Sequence, residues 1–234
     1  MKKYNNFKIN KDKSFAKVIC NFFGNLFFTY CVIIALALIL FSSVTIECEV
    51  RGSSMYPTLN SVSQTKNDIV FVNPYNKDLN YGDIVVVGLE NENIIKRVVG
   101  LSGDTIDIVF DEYEYKLERN GKIIVENYIN YTQNPTIPND HKNGMHKTYE
   151  NFQNLKENKP ELFDNGKLVV PDNSIFVLGD NRAVSLDSSV YGTFDMDKFV
   201  GKVEKTLYAS ESEFSFYYYY ILNGEFFVTL FSLF

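Results

Sequence analysis

Histidine and cysteine are scarce in this chain of 234 residues, with two and three copies, and their placement excludes several chemistries. Both histidines, His141 and His146, fall in a polar, Asn-rich stretch. A Ser-His-Asp triad or a Cys-His pair needs an imidazole held on a rigid frame, so neither is supported. A histidine-ligated metal site fails on the same ground. Cys20 and Cys31 lie inside an apolar run and only Cys48 lies beyond it. No CxxC or Cys/His spacing occurs, which removes a zinc site and a disulfide framework; neither metal nor cofactor is expected. Basic charge is also short beyond the amino terminus. Residues 1–17 hold six Lys against Asp12, so with a formal charge of −6 overall the remainder from Glu47 onward carries −11. Nucleic-acid binding needs a basic surface that displaces counterions, and no such partner is expected. The basic arm reads instead as a topology signal.

What is abundant is uncharged sequence. Between Lys17 and Glu47 run 29 residues without a charge, and the stretch from Phe27 to Val44 is nearly all apolar. About 20 such residues cross a bilayer core as a helix, with every backbone hydrogen bond made internally. A removable signal peptide would have a shorter apolar region and a small-x-small site; Ser42-Ser43-Val44 is a weak match, so a retained anchor over residues 18–46 is expected. Lysines before the helix and Glu47 and Glu49 after it set the amino terminus in the cytoplasm by the positive-inside rule. Everything after residue 46 is then expected outside the cell membrane.

Beyond the anchor the pattern is one of short strands. Asp68–Val72, Asp83–Val87, Asn93–Val99, Thr105–Val109, Lys167–Val170 and Ser174–Leu178 are rich in β-branched residues and bounded by Asn, Gly or Pro. Tyr113–Glu118 and Lys122–Val125 flank Arg119-Asn120-Gly121, a turn sequence suited to a hairpin. No sustained 3.6-residue apolar period stands out beyond the anchor. The expected fold is therefore mainly β. Residues 126–167 hold nine Asn and both histidines, and read as a surface insertion. The last segment, Phe214–Phe234, is dominated by Phe and Tyr. It fits a hairpin about Asn223-Gly224, an interfacial contact with lipid, or a second span, and the three readings stay open.

With histidine excluded, a hydrolase would need another base. Lysine serves when burial disfavours its ammonium form, which lowers a pKa ordinarily near 10.4. Lys96, in the apolar run Asn93-Ile-Ile-Lys-Arg-Val-Val-Gly100, is the candidate; periodicity alone favours a solvent face for it. Eight residues past the apolar run lies Gly52-Ser-Ser-Met-Tyr-Pro-Thr-Leu59, where Pro57 stiffens the turn after Ser54.

Four blocks then occur in order: Ser54-Met-Tyr-Pro-Thr-Leu59, Gly82-Asp-Ile-Val-Val-Val87, Ile95-Lys-Arg-Val-Val-Gly-Leu-Ser-Gly-Asp104, and Gly179-Asp-Asn-Arg182, which continues through Ser185 and Asp187 to Gly192. Behind an amino-terminal anchor, this set resembles the bacterial type I signal peptidases, from the anchor to about Lys205 and omitting the insertion. The resemblance implies an antiparallel β-sheet peptidase domain (47–110 and 168–210), with a smaller inserted hairpin and loop region (111–167) and the aromatic tail (211–234). It implies a membrane-bound serine endopeptidase that removes signal peptides from exported precursors after small-x-small sites. Ser54 would be the nucleophile, Lys96 the general base, Ser185 the group that orients the lysine, and the Ser54 backbone N–H an oxyanion donor. Arg97, Asp180, Arg182 and Asp187 would be structural groups near the site. Val50, Met55, Leu59, Ile94 and Ile95 would line apolar pockets for a precursor that adds as a strand. Its partners would be the precursors and membrane lipid, with the secretion translocon nearby.

The chain departs from the family pattern at three places. Gly52 stands where some members carry a Ser that aids the oxyanion. Ser189 replaces the usual Arg after Asp-Ser, so Asp187 is expected to lean on Arg182 or Arg97. Ser102 replaces a usual Pro. A peptidase specialised for a few precursors and a catalytically silent relative are the alternatives; the second should have lost Ser54 or Lys96, and both are present.

Overall fold

The computed structural model describes residues 6–60, 67–129 and 143–209, in two compact units divided after Val44. The first holds one helix, α1, Asn6–Val44. Within it Lys17–Leu38 is 22 residues long and apolar enough to cross a membrane. At about 1.5 Å per residue that span matches a hydrocarbon core of about 30 Å. Phe22, Phe23, Leu26, Phe27 and Phe28 project from it exposed, whereas a helix of a water-soluble core would bury them.

Among its described residues the second unit carries twelve strands: β1 Ile46–Glu49, β2 Ile69–Asn73, β3 Ile84–Gly88, β4 Asn93–Gly100, β5 Thr105–Asp111, β6 Glu114–Arg119, β7 Lys122–Ile123, β8 Phe163–Asp164, β9 Lys167–Val169, β10 Ser174–Leu178, β11 Phe194–Asp195 and β12 Phe199–Leu207. Every pairing is antiparallel. One sheet runs β1-β2-β12-β3-β4-β10-β11 and the other β7-β6-β5-β9-β8. The β6–β7 turn has Asn120 at φ 53° and Gly121 at φ 74°, the left-handed pair that an Asn-Gly hairpin turn needs. The mainly antiparallel β fold expected from the sequence is thus the fold observed.

Two α-helices accompany the strands among the described residues, α2 Asn143–Asn158 and the single turn α3 Ser188–Tyr191. The first corrects the expectation of a surface loop. Met145, Phe152 and Leu155 face inward and are buried against Ile106, Leu117, Leu168 and Phe176, so this helix closes the core between the sheets. Phe152 is fully buried, its ring 5.3 Å from that of Phe163 and 6.3 Å from that of Phe176, both edge-on. Phe152→Ala is expected to lower stability by about 3–5 kcal/mol, measurable as a shift in the urea midpoint of the purified chain. A loss under 1 kcal/mol would show that α2 is peripheral.

A second cluster (Val50, Met55, Leu59, Val70, Val72, Val86) and a third (Val85, Val87, Val98, Ile175, Val177, Phe194) fill the two faces of the larger sheet. Because β3, β4 and β10 are covered on both sides, their sequences lack simple alternation. From Lys96 to Gly100 every residue of β4 is buried.

Candidate active site

Ser54 sits in the turn that links β1 to β2, and the turn is pinned at three places. Met55 and Leu59 plug into the core at 2% and 1% exposure. The Asn60 amide donates to the carbonyls of Val50 (2.8 Å) and Gly52 (3.2 Å) and closes the turn at its base. From the opposite side, the Asn181 N–H donates to the Ser54 carbonyl (2.9 Å), and its side-chain amide donates to that of Ser53 (3.0 Å). This last contact requires Gly179. A Cβ there would lie 2.6 Å from the Ser54 carbonyl oxygen and 2.2 Å from Ser185 Oγ, closer than real side chains approach. Gly52, at φ 81°, has a backbone conformation that a serine adopts only with strain. The sequence departure at this position therefore follows from the local turn.

Lys96 projects from the middle of β4 beneath this turn. It is 3% exposed, which settles its side of the strand. Its Nζ lies 2.8 Å from Ser54 Oγ and 2.9 Å from the Ile95 carbonyl oxygen. Burial pushes the amine down to about 8, against the opposing pull of the Asp187, Glu92 and Asp180 carboxylates. About a tenth of such an amine is neutral at pH 7, compared with about one part in 2,500 for an ordinary lysine. A neutral amine at hydrogen-bonding distance from a hydroxyl can accept its proton.

Behind the pair lies a dry ionic layer. Arg97, next to Lys96 on β4, grips Asp180 with two hydrogen bonds, Nε to Oδ1 at 2.8 Å and Nη2 to Oδ2 at 2.5 Å. Thr58 Oγ1 also donates to Asp180 (2.5 Å), and Arg97 Nη1 donates to the Gly82 carbonyl (2.7 Å). Three of the sequence blocks thereby meet at one carboxylate. Asp187 does not lean on either arginine. Its oxygens accept from the Gly179 N–H (2.9 Å), the Ser189 N–H (3.0 Å) and the Ser189 hydroxyl (2.8 Å), so Ser189 satisfies by hydrogen bonding what an arginine would satisfy by charge. Arg182 pairs instead with Glu126 (2.6 Å) and donates to the Gly179 carbonyl (3.0 Å). Ser102 Oγ donates to the Ser174 carbonyl (3.2 Å) and accepts from its N–H (3.3 Å), a polar tie where the family pattern has Pro.

Two expected placements differ. Ser185 is buried, but its Oγ has no hydrogen-bond partner among the described residues and makes no bond to Lys96; it rests against Gly179. Leu59 lies in the core under the turn and not in the groove. Val50, Met55, Ile94 and Ile95 do line the groove, an open cavity of about 470 Å³ that also presents Ser54 and Lys96. Sequence reading gave no role to Thr58 or Asn181, although both stand inside quoted blocks, nor to Glu126 and Tyr128, which no local pattern marks. His146 lies on α2 against Tyr115 and Glu150.

Comparison with known proteins bears on this geometry. A family model described as "Signal peptidase, peptidase S26" matches residues 23–208. The chain is 32% identical to signal peptidase I S of Bacillus subtilis (strain 168), over 80% of its own length and 84% of the relative's. It is 35% identical to signal peptidase IB of Staphylococcus aureus (strain COL), over 66% and 73%. A solved signal peptidase I from Enterococcus faecalis V583 is 25% identical and covers 54% of this chain and 97% of that one, with a TM-score of 0.38. The chain belongs to the signal peptidase family, peptidase S26, and is a serine peptidase.

Proposed function

We propose that the chain removes signal peptides from exported precursors at small-x-small sites, with Ser54 as nucleophile and Lys96 as general base. The observation that carries this is the 2.8 Å contact between Lys96 Nζ and Ser54 Oγ, with the amine buried. Neutral Lys96 takes the Ser54 proton as Oγ attacks the scissile carbonyl carbon. The resulting ammonium returns that proton to the departing amine, so the mature chain leaves with a free amino terminus and the signal peptide remains as an ester on Ser54. Lys96, neutral again, takes a proton from water as the water attacks the ester carbonyl, and the ammonium gives that proton to Ser54 Oγ as the acyl–oxygen bond breaks and the signal peptide leaves as a carboxylate. The Ser54 N–H is assigned to the oxyanion, where one such donor is often worth about 2.7–4 kcal/mol. Ser185 Oγ, which has spare bonding capacity, is assigned to orient Lys96 when substrate fills the groove.

The precursor adds as a strand along the Ser54 turn, and the shallow apolar floor made by Val50, Met55, Val86, Ile94 and Ile95 accepts small side chains. The α1 helix, with its lysine-rich start, is assigned an amino terminus in the cytoplasm. That places the groove outside the membrane, where lipid and the secretion translocon are its neighbours. The test is cleavage of a fluorogenic small-x-small peptide by the full chain in detergent. Wild type should cleave it and Ser54→Ala should not; wild-type turnover by Ser54→Ala would refute the proposal.

A further inference from the structure

After β7 the chain crosses the back of the site as a short strap, residues 124–129. Ile124 N–H donates to the Leu117 carbonyl (2.9 Å), and Ile129 N–H turns back to that of Glu126 (3.3 Å). Two side chains of the strap enter the ionic layer. Glu126 Oε1 accepts from Arg182 Nη2 at 2.6 Å, with the two side chains 7% and 1% exposed. The same oxygen accepts from the Tyr128 hydroxyl at 2.5 Å, and the Tyr128 ring lies 4.1 Å from the Arg97 guanidinium carbon. Arg97 grips Asp180, and Arg182 holds the Gly179 carbonyl. The contacts therefore form a closed circuit, Asp180–Arg97–Tyr128–Glu126–Arg182–Gly179, around the turn whose Asn181 carries the Ser54 carbonyl.

We propose that Glu126 and Tyr128 form a clamp that positions the Ser54–Lys96 pair by fixing Arg97 and Arg182. The inference rests on Lys96 as the base and adds two positioning residues to that reading. Both partners of the pair depend on the circuit, Ser54 through the Gly179–Arg182 turn and Lys96 through its neighbour Arg97 on β4. Charge follows the same route. Two buried guanidiniums face two carboxylates, Asp180 and Glu126. Lys96 feels Asp187, Glu92 and Asp180 and adjoins Arg97, while Glu126 faces Arg182 and Tyr128. Removing the Glu126 charge adds net positive charge to a dry layer, which disfavours the Lys96 ammonium. Activity then persists to lower pH even as turnover falls.

The experiment is the pH dependence of peptide cleavage by the full chain in detergent, for wild type, Glu126→Gln, Glu126→Asp, Tyr128→Phe and a Lys96→Ala control. Glu126→Gln should lower kcat about tenfold with KM within about twofold, and move the acid limb of kcat/KM down by about half a pH unit. Glu126→Asp keeps the charge but shortens the reach, so it should keep the wild-type limb at an intermediate kcat. A wild-type kcat in Glu126→Gln, or a loss with the limb unmoved, overturns the clamp. If Glu126→Gln does not fold, Tyr128→Phe decides: about threefold lower kcat at unchanged KM supports the clamp, and wild-type kcat overturns it. Cleavage by Lys96→Ala within about tenfold of wild type would sink the base assignment itself. Its loss alongside a wild-type Glu126→Gln would sink the clamp alone.

Discussion

Replacing Lys96 by Met is expected to lower kcat about a thousandfold, within the range a positioned base supplies, and to leave the fold intact. The two outcomes have one cause. The amine is buried beside Ser54 Oγ, so removing it takes away the only nearby acceptor assigned to the hydroxyl proton, while the thioether chain fills the same space. Stability should not fall, and the sign can be worked through. The folded amine titrates near 8 and the unfolded one near 10.4. Between those values the unfolded chain binds more protons, so this group's contribution to stability rises with pH across that window and is lowest below it. At pH 7 wild type carries the full burden of a buried ammonium, which Met does not. Lys96→Met should therefore melt at the same temperature as wild type or above it. A melting temperature well below wild type would mean that the lysine serves the fold.

Asp180→Ala is expected to cost the fold about 3–5 kcal/mol of stability. The Asp180 side chain is 0% exposed and that of Arg97 10%. Truncating the carboxylate strands the guanidinium without a charge partner and leaves Thr58 Oγ1 without its acceptor. Such a pair adds little net stability over an apolar one, yet breaking one half is costly because the other charge stays buried. Urea unfolding of the purified chain measures the loss. Cleavage should fall as well, because the same residue ties the Ser54 turn to β4. A variant with wild-type unfolding would show that water reaches Arg97.

Much of this was legible in the sequence, for physical reasons that differ by element. β2, β3, β4, β5 and β10 are short β-branched runs between turn formers, and each falls within two residues of its expected span. β12 was missed because Phe199–Leu207 carries Lys202, Glu204 and Lys205, whose charge masks the strand signal. The α2 helix was missed although Met145, Tyr149, Phe152 and Leu155 have helical spacing; four Asn and two Lys within Asn143–Asn158 diluted a narrow apolar stripe. Ser54 and Lys96 were found through motif order, since spacing alone left Lys96 free to face solvent. Asp187 was assigned the wrong partners because hydrogen bonding by Ser189 and a backbone N–H satisfies a carboxylate without any charge, which a count of arginines cannot anticipate. Glu126 and Tyr128 reach the site only through tertiary packing, so no local pattern announced them. The three readings of residues 214–234 concern a segment outside the described residues.

The most direct measurement is the pH profile of kcat/KM for a small-x-small peptide, taken on the full chain in detergent at constant ionic strength. A base that must be neutral and titrates near 8 gives a rate that climbs about tenfold per pH unit through neutrality and levels off near pH 8. A rate still climbing tenfold per unit past pH 10 would mean that Lys96 keeps the affinity for protons of an exposed lysine, and would contradict the account.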